Sequence, residues 1–224
     1  GSSNRQDLAS RVYSDLMTIR EIAKALELAG DVGLSDKFLL PRPLNYANVL
    51  ESIEKITSPE GLGMSPKRIT VSTAGIAKMI KKLGDDEVKF NLALSLHAAN
   101  DLKRNQIMPI NESNSLEKLA EALQYFYRKT KNRITFEYIV FNNFNDTLQD
   151  AKELWEFTKK VPAKVNIIEY NPIAEADFKN TGVDKLEQFA RFLDSKGVIV
   201  NVRRSRGKDI DAACGQLANR EKNE

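Results

Sequence analysis

The sequence predicts an α/β protein built on a parallel sheet or partial barrel, and three observations carry that reading. Short β-type runs alternate with helix-type stretches of about ten to fifteen residues, the rhythm of βα units. The run Phe90 to Leu96 is apolar on both faces, as expected of a parallel strand covered on both sides. The 224 residues, 42% hydrophobic and 29% charged, suffice for one large soluble domain or two small ones.

Taken in order, Gly1-Ser2-Ser3 reads as a tag remnant and is set aside. Residues 5 to 31 place Leu8, Val12, Leu16, Ile19, Ile22, Leu26 and Leu28 mostly at three- and four-residue spacings, predicting a helix that Gly30 stops. Asp36 to Leu40 reads as a short strand ended by Pro41-Arg42-Pro43, since proline removes donors and cannot continue a helix. A second helix follows, with Asn45 as its cap and Val49, Leu50, Ile53 and Ile56 as its apolar stripe.

From there the alternation is regular. Strands are expected at Arg68 to Ser72, Phe90 to Leu96, Arg133 to Phe141, Lys164 to Tyr170 and Val198 to Val202. Between them come a helix carrying Ile76, Met79, Ile80 and Leu83, one capped by Ser115, one over Leu148 to Lys160 after the turn Asn142 to Asp146, and one over Leu186 to Leu193. The stretch through Ile107-Met108-Pro109-Ile110 reads as irregular. The only marked change of character lies near residue 44.

Composition excludes several chemistries. One cysteine rules out an internal disulfide and a cluster ligated by this chain's thiolates alone, and one histidine rules out a histidine-based metal site. No apolar run reaches the length of a membrane span, so no membrane partner is expected. The net charge of +3 is too small to argue for nucleic acid by itself, which leaves local patches to do so.

Ligands of parallel α/β folds sit at the carboxyl ends of strands. Those ends hold Ser72-Thr73-Ala74-Gly75, Ser95-Leu96-His97, Tyr138 or the residues shortly beyond it, Glu169-Tyr170-Asn171-Pro172 and Arg203 to Cys214. Ser72 and Thr73 fit a helix cap as well as a ligand contact. His97 fits a satisfied structural imidazole or a ligand-facing group. Asn171-Pro172 fits a turn. Cys214 fits a small buried hydrophobe, but its charged, glycine-flanked surroundings favour a thiolate nucleophile. Arg203, Arg204, Arg206 and Lys208 fit a solvated face or contacts to RNA phosphates.

Read together, PLNYANVL, SPKRITVSTAGI, LALSLHAANDLKRNQIMPIN, ITFEYIVFNNFND, AKVNIIEYNP and RRSRGKDIDAACGQLA, spread in order from Pro43 to Asn219, resemble the radical S-adenosylmethionine RNA methyltransferases of the RlmN/Cfr family. The resemblance implies a partial (β/α) barrel of the radical SAM type and a cytoplasmic enzyme that methylates C2 of an adenine in ribosomal RNA, with transfer RNA as a further candidate. It assigns S-adenosylmethionine contacts to Ser72, Ser95, Leu96, His97 and Asn171. Cys214 matches the cysteine that carries the methyl group.

The departures are specific. The family's CxxxCxxC motif for a 4Fe-4S cluster is absent, and Leu39-Leu40-Pro41-Arg42-Pro43 stands where the family has GMGEP, so that Arg42 replaces an acid. Residues 4 to 42 therefore read as a helical segment foreign to the family, lacking or replacing the first barrel strand, with residues 43 to 224 as the partial barrel. A chain of this kind is expected to bind no 4Fe-4S cluster and to generate no radical, which leaves a methyltransferase in shortened or rearranged form, or a non-catalytic α/β scaffold or RNA-binding module. An uncovered parallel edge also invites a second copy or a domain swap.

Overall fold

The computed structural model describes residues 43–170 and 178–204. The elements are α1 (Pro43–Thr57), a 3-10 turn (Pro66–Arg68), β1 (Thr70–Thr73), α2 (Ala77–Asp85), β2 (Asn91–Ser95), α3 (Asp101–Ile107), a second 3-10 turn (Pro109–Glu112), α4 (Leu116–Thr130), β3 (Ile134–Val140), α5 (Leu148–Thr158), β4 (Ala163–Glu169), α6 (Val183–Ser195) and β5 (Val200–Arg203). The strands form one five-stranded sheet in the order β1-β2-β3-β4-β5. β3 and β4 pair in parallel from Ile134 opposite Ala163 to Val140 opposite Glu169, and β4 and β5 from Val165 opposite Val200 to Ile168 opposite Arg203. An α/β fold on a parallel sheet is thus observed, and five of the six expected strands are present. The sixth, Asp36 to Leu40, lies with the expected N-terminal helix outside the described residues.

Contacts group the chain into two compact units, one running to Ser72 and including Val88–Leu92, the other comprising Thr73–Glu87 and the residues from Ala93 onward. In the first, Ile53 and Ile56 of α1 are buried, as are Ile69, Val71, Val88, Phe90 and Leu92. The Asn91 amide donates to the Ile69 carbonyl at 2.9 Å and its side-chain nitrogen to the Lys67 carbonyl at 2.7 Å, so the asparagine ties β2 to the chain that enters β1.

In the second unit, α5 and α6 pack on one face of the sheet. Phe136 meets Phe157 at 5.2 Å between ring centroids, and Tyr138 meets Phe189 at 5.4 Å, with Ile134, Val140, Val165 and Ile167 fully buried in the same layer. Side chains alternate across a strand, so Thr135, Glu137 and Ile139 of β3 and Lys164, Asn166 and Ile168 of β4 belong to the other face, away from these helices. Gly84 of α2 lies where an added Cβ would sit 3.2 Å from the Phe126 Cα of α4, and its lack of a side chain permits this close approach of the two helices.

Several local expectations are corrected. Asn45 lies inside α1, which starts at Pro43; proline at a first helical position has its φ preset and no amide to waste. The segment read as irregular holds α3, capped by Asn100 Oδ1 accepting from the Leu102 and Lys103 amides, and the turn Pro109–Glu112. The cap of α5 is Thr147, in a reciprocal capping box with Asp150, rather than the preceding turn. Neither Ser72 nor Thr73 caps α2, whose N-cap is Ile76; Thr73 Oγ1 accepts instead from the Gly75 amide at 3.1 Å. Ser115 caps α4 as expected, accepting from the Lys118 amide.

Candidate functional site

The site is built where β2 ends. β2 ends at Ser95, and the next two amides, Leu96 and His97, both converge on the Glu137 carbonyl of β3 at 3.0 and 3.2 Å. His97 then turns into the left-handed region with φ 56°, which histidine reaches more readily than most residues. Its ring takes over the ladder: the Ile139 amide donates to His97 Nδ1 at 3.2 Å. An acceptor nitrogen carries no proton, so the neutral ring holds its hydrogen on Nε2 and presents a donor there. Burial, followed by the nearby Arg104 guanidinium, lowers the imidazole pKa to about 4.

Asn145 fixes this turn from behind. It is fully buried, and its side-chain nitrogen donates to the His97 carbonyl at 2.7 Å and to the Ile139 carbonyl at 2.8 Å, while Oδ1 accepts from the Phe141 amide at 2.7 Å. All three are backbone groups left over where strands end, which a buried amide can satisfy at once.

Arg104 of α3 gathers the loop on the other side. It is fully buried, and Nε donates to the Leu96 carbonyl at 3.0 Å, Nη1 to Asn111 Oδ1 at 2.7 Å, and Nη2 to the carbonyls of Ala74 at 2.8 Å and Ser95 at 3.1 Å. Asn111 passes the connection on by donating to Asp101 Oδ1 at 2.7 Å. Burial lowers the guanidinium pKa to about 10, with Asp101 acting in the opposite sense, so Arg104 remains a cation at neutral pH. Next to it Gly75 has φ +102°, and a Cβ there would lie 3.1 Å from carbons of Leu94 and Leu119 and 3.2 Å from Arg104 Nη2.

Among the sequence candidates, Ser95 and His97 are partly exposed at the end of β2, and Ser72 is exposed in β1. Leu96 is fully buried, and both of its backbone groups are already bonded, to Glu137 and Arg104. Arg203 is the exposed last residue of β5, which runs Val200–Arg203, rather than part of the loop beyond it. Arg204 Nη2 pairs with Glu187 Oε1 at 2.8 Å on the surface. Asn171, Arg206, Lys208 and Cys214 lie outside the described residues.

Sequence reasoning missed Arg104, Asn145 and Glu137. Arg104 gives no signal, because a Lys-Arg pair on a helix reads as solvated. Glu137 does give one: it is the polar residue of the alternating run Ile134 to Val140, whose apolar partners face the helices.

No family model matches the chain. It is 69% identical over 178 residues to a probable dual-specificity RNA methyltransferase RlmN from Cytophaga hutchinsonii, covering 80% of this chain and 49% of that protein. It is 59% identical to the probable RlmN of Christiangramia forsetii, covering 79% of this chain and 50% of that protein. The crystal structure of a radical SAM methyltransferase from Sphaerobacter thermophilus superposes with a TM-score of 0.73 at 35% identity, over 77% of this chain and 51% of that one. The chain thus spans about half the length of the curated relatives it matches. Over that shared segment the chain is similar to the RlmN proteins and to a radical SAM methyltransferase, and its likeness extends to about half of each.

Proposed function

We propose that this chain carries the S-adenosylmethionine-binding part of an RNA methyltransferase. The observation that carries the reading is the end of β2, where a neutral, fully braced His97 stands beside Ser95 with a ring N–H to offer. Nucleoside ligands are recognised by a few such fixed donors and acceptors on a rigid scaffold, and a histidine that stays neutral donates without adding charge to a sulfonium-bearing ligand. Ser72, Ser95, His97 and Asn171 form the proposed contact set, while Leu96, buried with both backbone groups bonded, is proposed to hold the loop rather than touch the ligand.

Cys214 is the proposed methyl acceptor. Its thiolate attacks the sulfonium methyl, a sulfur–carbon bond forms as another breaks, and S-adenosylhomocysteine leaves. Arg203, Arg204, Arg206 and Lys208 are the proposed contacts to ribosomal RNA phosphates. A 4Fe-4S cluster does not fit this chain's own donors, since it has one cysteine and no group of three potential metal ligands among the described residues. No radical step is assigned to it.

Titration calorimetry with S-adenosylmethionine tests the binding reading. The expected result is saturable binding that His97→Ala and Asn171→Ala each weaken at least tenfold; no binding by the parent chain overturns it. The single cysteine favours a second reading, an RNA-binding module without chemistry of its own. Intact-mass analysis after incubation with S-adenosylmethionine separates the two, because a methyl gain that vanishes in Cys214→Ala supports transfer. RNA binding without any mass gain favours the module.

A further inference from the structure

A groove of about 710 Å³ runs over the outer face of α5, between the first turn of α4 and the last turn of α6. Its floor is aromatic. α5 and α6 turn Leu154, Phe157, Phe189 and Leu193 into the core, which leaves Trp155 and Phe192 half-buried on their flanks. Both rings face the groove, and so do Lys152, Lys160 and Lys196.

Ammonium groups crowd these rings. Lys159 Nζ lies 4.2 Å and Lys196 Nζ 5.1 Å from the Trp155 centroid, and Lys196 Nζ also lies 5.7 Å from that of Phe192. Lys160 Nζ stands 5.9 Å from the buried Phe157 ring, and Lys152 is one turn before Trp155 on the same side of α5. Among the described residues only Lys159 of these four forms an ion pair, with Glu156. Cation–π attraction accounts for one ammonium on a ring, but two on the same indole also repel each other.

Charge is segregated along the groove. Its remaining acids lie toward the other end: Asp101 and Glu117 in the first turns of α3 and α4, and Glu153, which accepts from the Asn100 and Gln149 side-chain nitrogens. First turns of these helices lie at the carboxyl ends of the parallel strands and last turns at the amino ends. Lys159, Lys160 and Lys196 therefore gather with the rings at the end away from Asp101 and Glu117.

We propose that the ring-and-lysine end of this groove binds single-stranded RNA, with bases stacking on Trp155 and Phe192 and phosphates meeting Lys159, Lys160 and Lys196. Every base has a π-face and every linkage a negative charge, so aromatic rings set among cations suit an open strand. A duplex keeps its bases stacked on one another and offers the rings nothing. A phosphate shared by Lys159 and Lys196 also removes their repulsion over the indole. The proposal rests on the reading of this chain as part of an RNA-acting protein, and adds to it a contact surface on the helical layer, separate from the cluster that begins at Arg203.

Trp155 is the chain's single tryptophan, so its emission reports this site alone. Titrating the full chain with a single-stranded oligo(U) eight-mer is expected to quench that emission saturably, with the same Kd as anisotropy of the labelled strand. Trp155→Leu is expected to weaken binding about tenfold by anisotropy, and Trp155→Phe, which keeps a ring, to recover most of the loss. Lys160→Met together with Lys196→Met is expected to reduce the slope of log K against log salt by about 1.4, from two contacts at about 0.7 each. Inorganic polyphosphate, which has no bases, is expected to compete without quenching.

Strand binding with unchanged emission and no loss in Trp155→Leu overturns the site and leaves the proposed RNA contacts at Arg203 and Arg204 standing. Quenching that persists in Arg203→Met with Arg204→Met upholds the site even if those contacts fail. No strand binding by either readout overturns the site, while calorimetry with S-adenosylmethionine judges the proposed function separately. Quenching that follows protein concentration alone, or poly-L-glutamate but not RNA, makes a second copy or an acidic protein the occupant and overturns it too.

Discussion

The Ile139 amide donates to His97 Nδ1 at 3.2 Å, so a side chain completes a backbone ladder where β2 has run out. That bond exists only while Nδ1 is unprotonated. In nitrogen-detected NMR, His97 is expected as the Nε2–H form throughout pH 5 to 8, protonating only near its lowered value of about 4. Titration near 6.5 would show that the bond does not hold the ring.

The same shift has a thermodynamic sign. The folded-state value of about 4 lies below the ordinary value of 6.5, so between them the unfolded chain binds more protons and stability falls as pH drops. The stability is complete above about 6.5 and lost progressively toward 4, with an upper limit on the order of 3 kcal/mol for this group. Urea unfolding of parent and His97→Gln across that range checks it: the difference between their stabilities shrinks with falling pH if the histidine is responsible.

Asn145 offers a contrast in sign. Replacing it by aspartate sets a carboxylate oxygen against the His97 and Ile139 carbonyls that now receive 2.7 and 2.8 Å bonds. Asn145→Asp is expected to destabilise by about 2–4 kcal/mol at pH 8, since two buried acceptors lose their donor and gain a like charge. Protonation restores a donor, so the deficit should narrow toward pH 5 in the same urea assay. A pH-independent deficit would locate the damage elsewhere.

Arg104 is expected to be the most sensitive position of the loop. Arg104→Met takes the guanidinium donor from the Ala74, Ser95 and Leu96 carbonyls and from Asn111 Oδ1, with Leu96 keeping only its bond from the Ala98 amide, a loss of about 3–5 kcal/mol by chemical denaturation. Arg104→Lys should recover little, because one ammonium cannot reproduce the planar fork.

At Gly75 the expected cost of Gly75→Ala is about 1–3 kcal/mol, from a left-handed φ of +102° together with contacts of 3.1 Å to Leu94 and Leu119. A thermal midpoint within a degree of the parent would show that the loop relaxes freely.

Much of this was legible in the chain itself. The two-residue period of Ile134 to Val140 and the unbroken apolar run through Leu92 and Leu94 specify strands and their burial, since a strand's faces are a property of sequence spacing alone. Ser115 and the αL-prone Gly197 mark ends of elements for equally local reasons. The ordered motifs from Pro43 onward were enough to bring out the likeness to the RlmN proteins.

The sequence by itself determined the alternating elements, their apolar faces and the residues available at strand ends. Tertiary structure alone decided what those residues became. It buried Arg104 on four oxygens, made Asn145 the brace of the His97 turn, and left Glu137 Oε2 buried without a donor. The physical reason is that local periodicity specifies which way a side chain points, whereas the partners of a buried polar group come from segments distant in sequence and are settled only when the chain has folded.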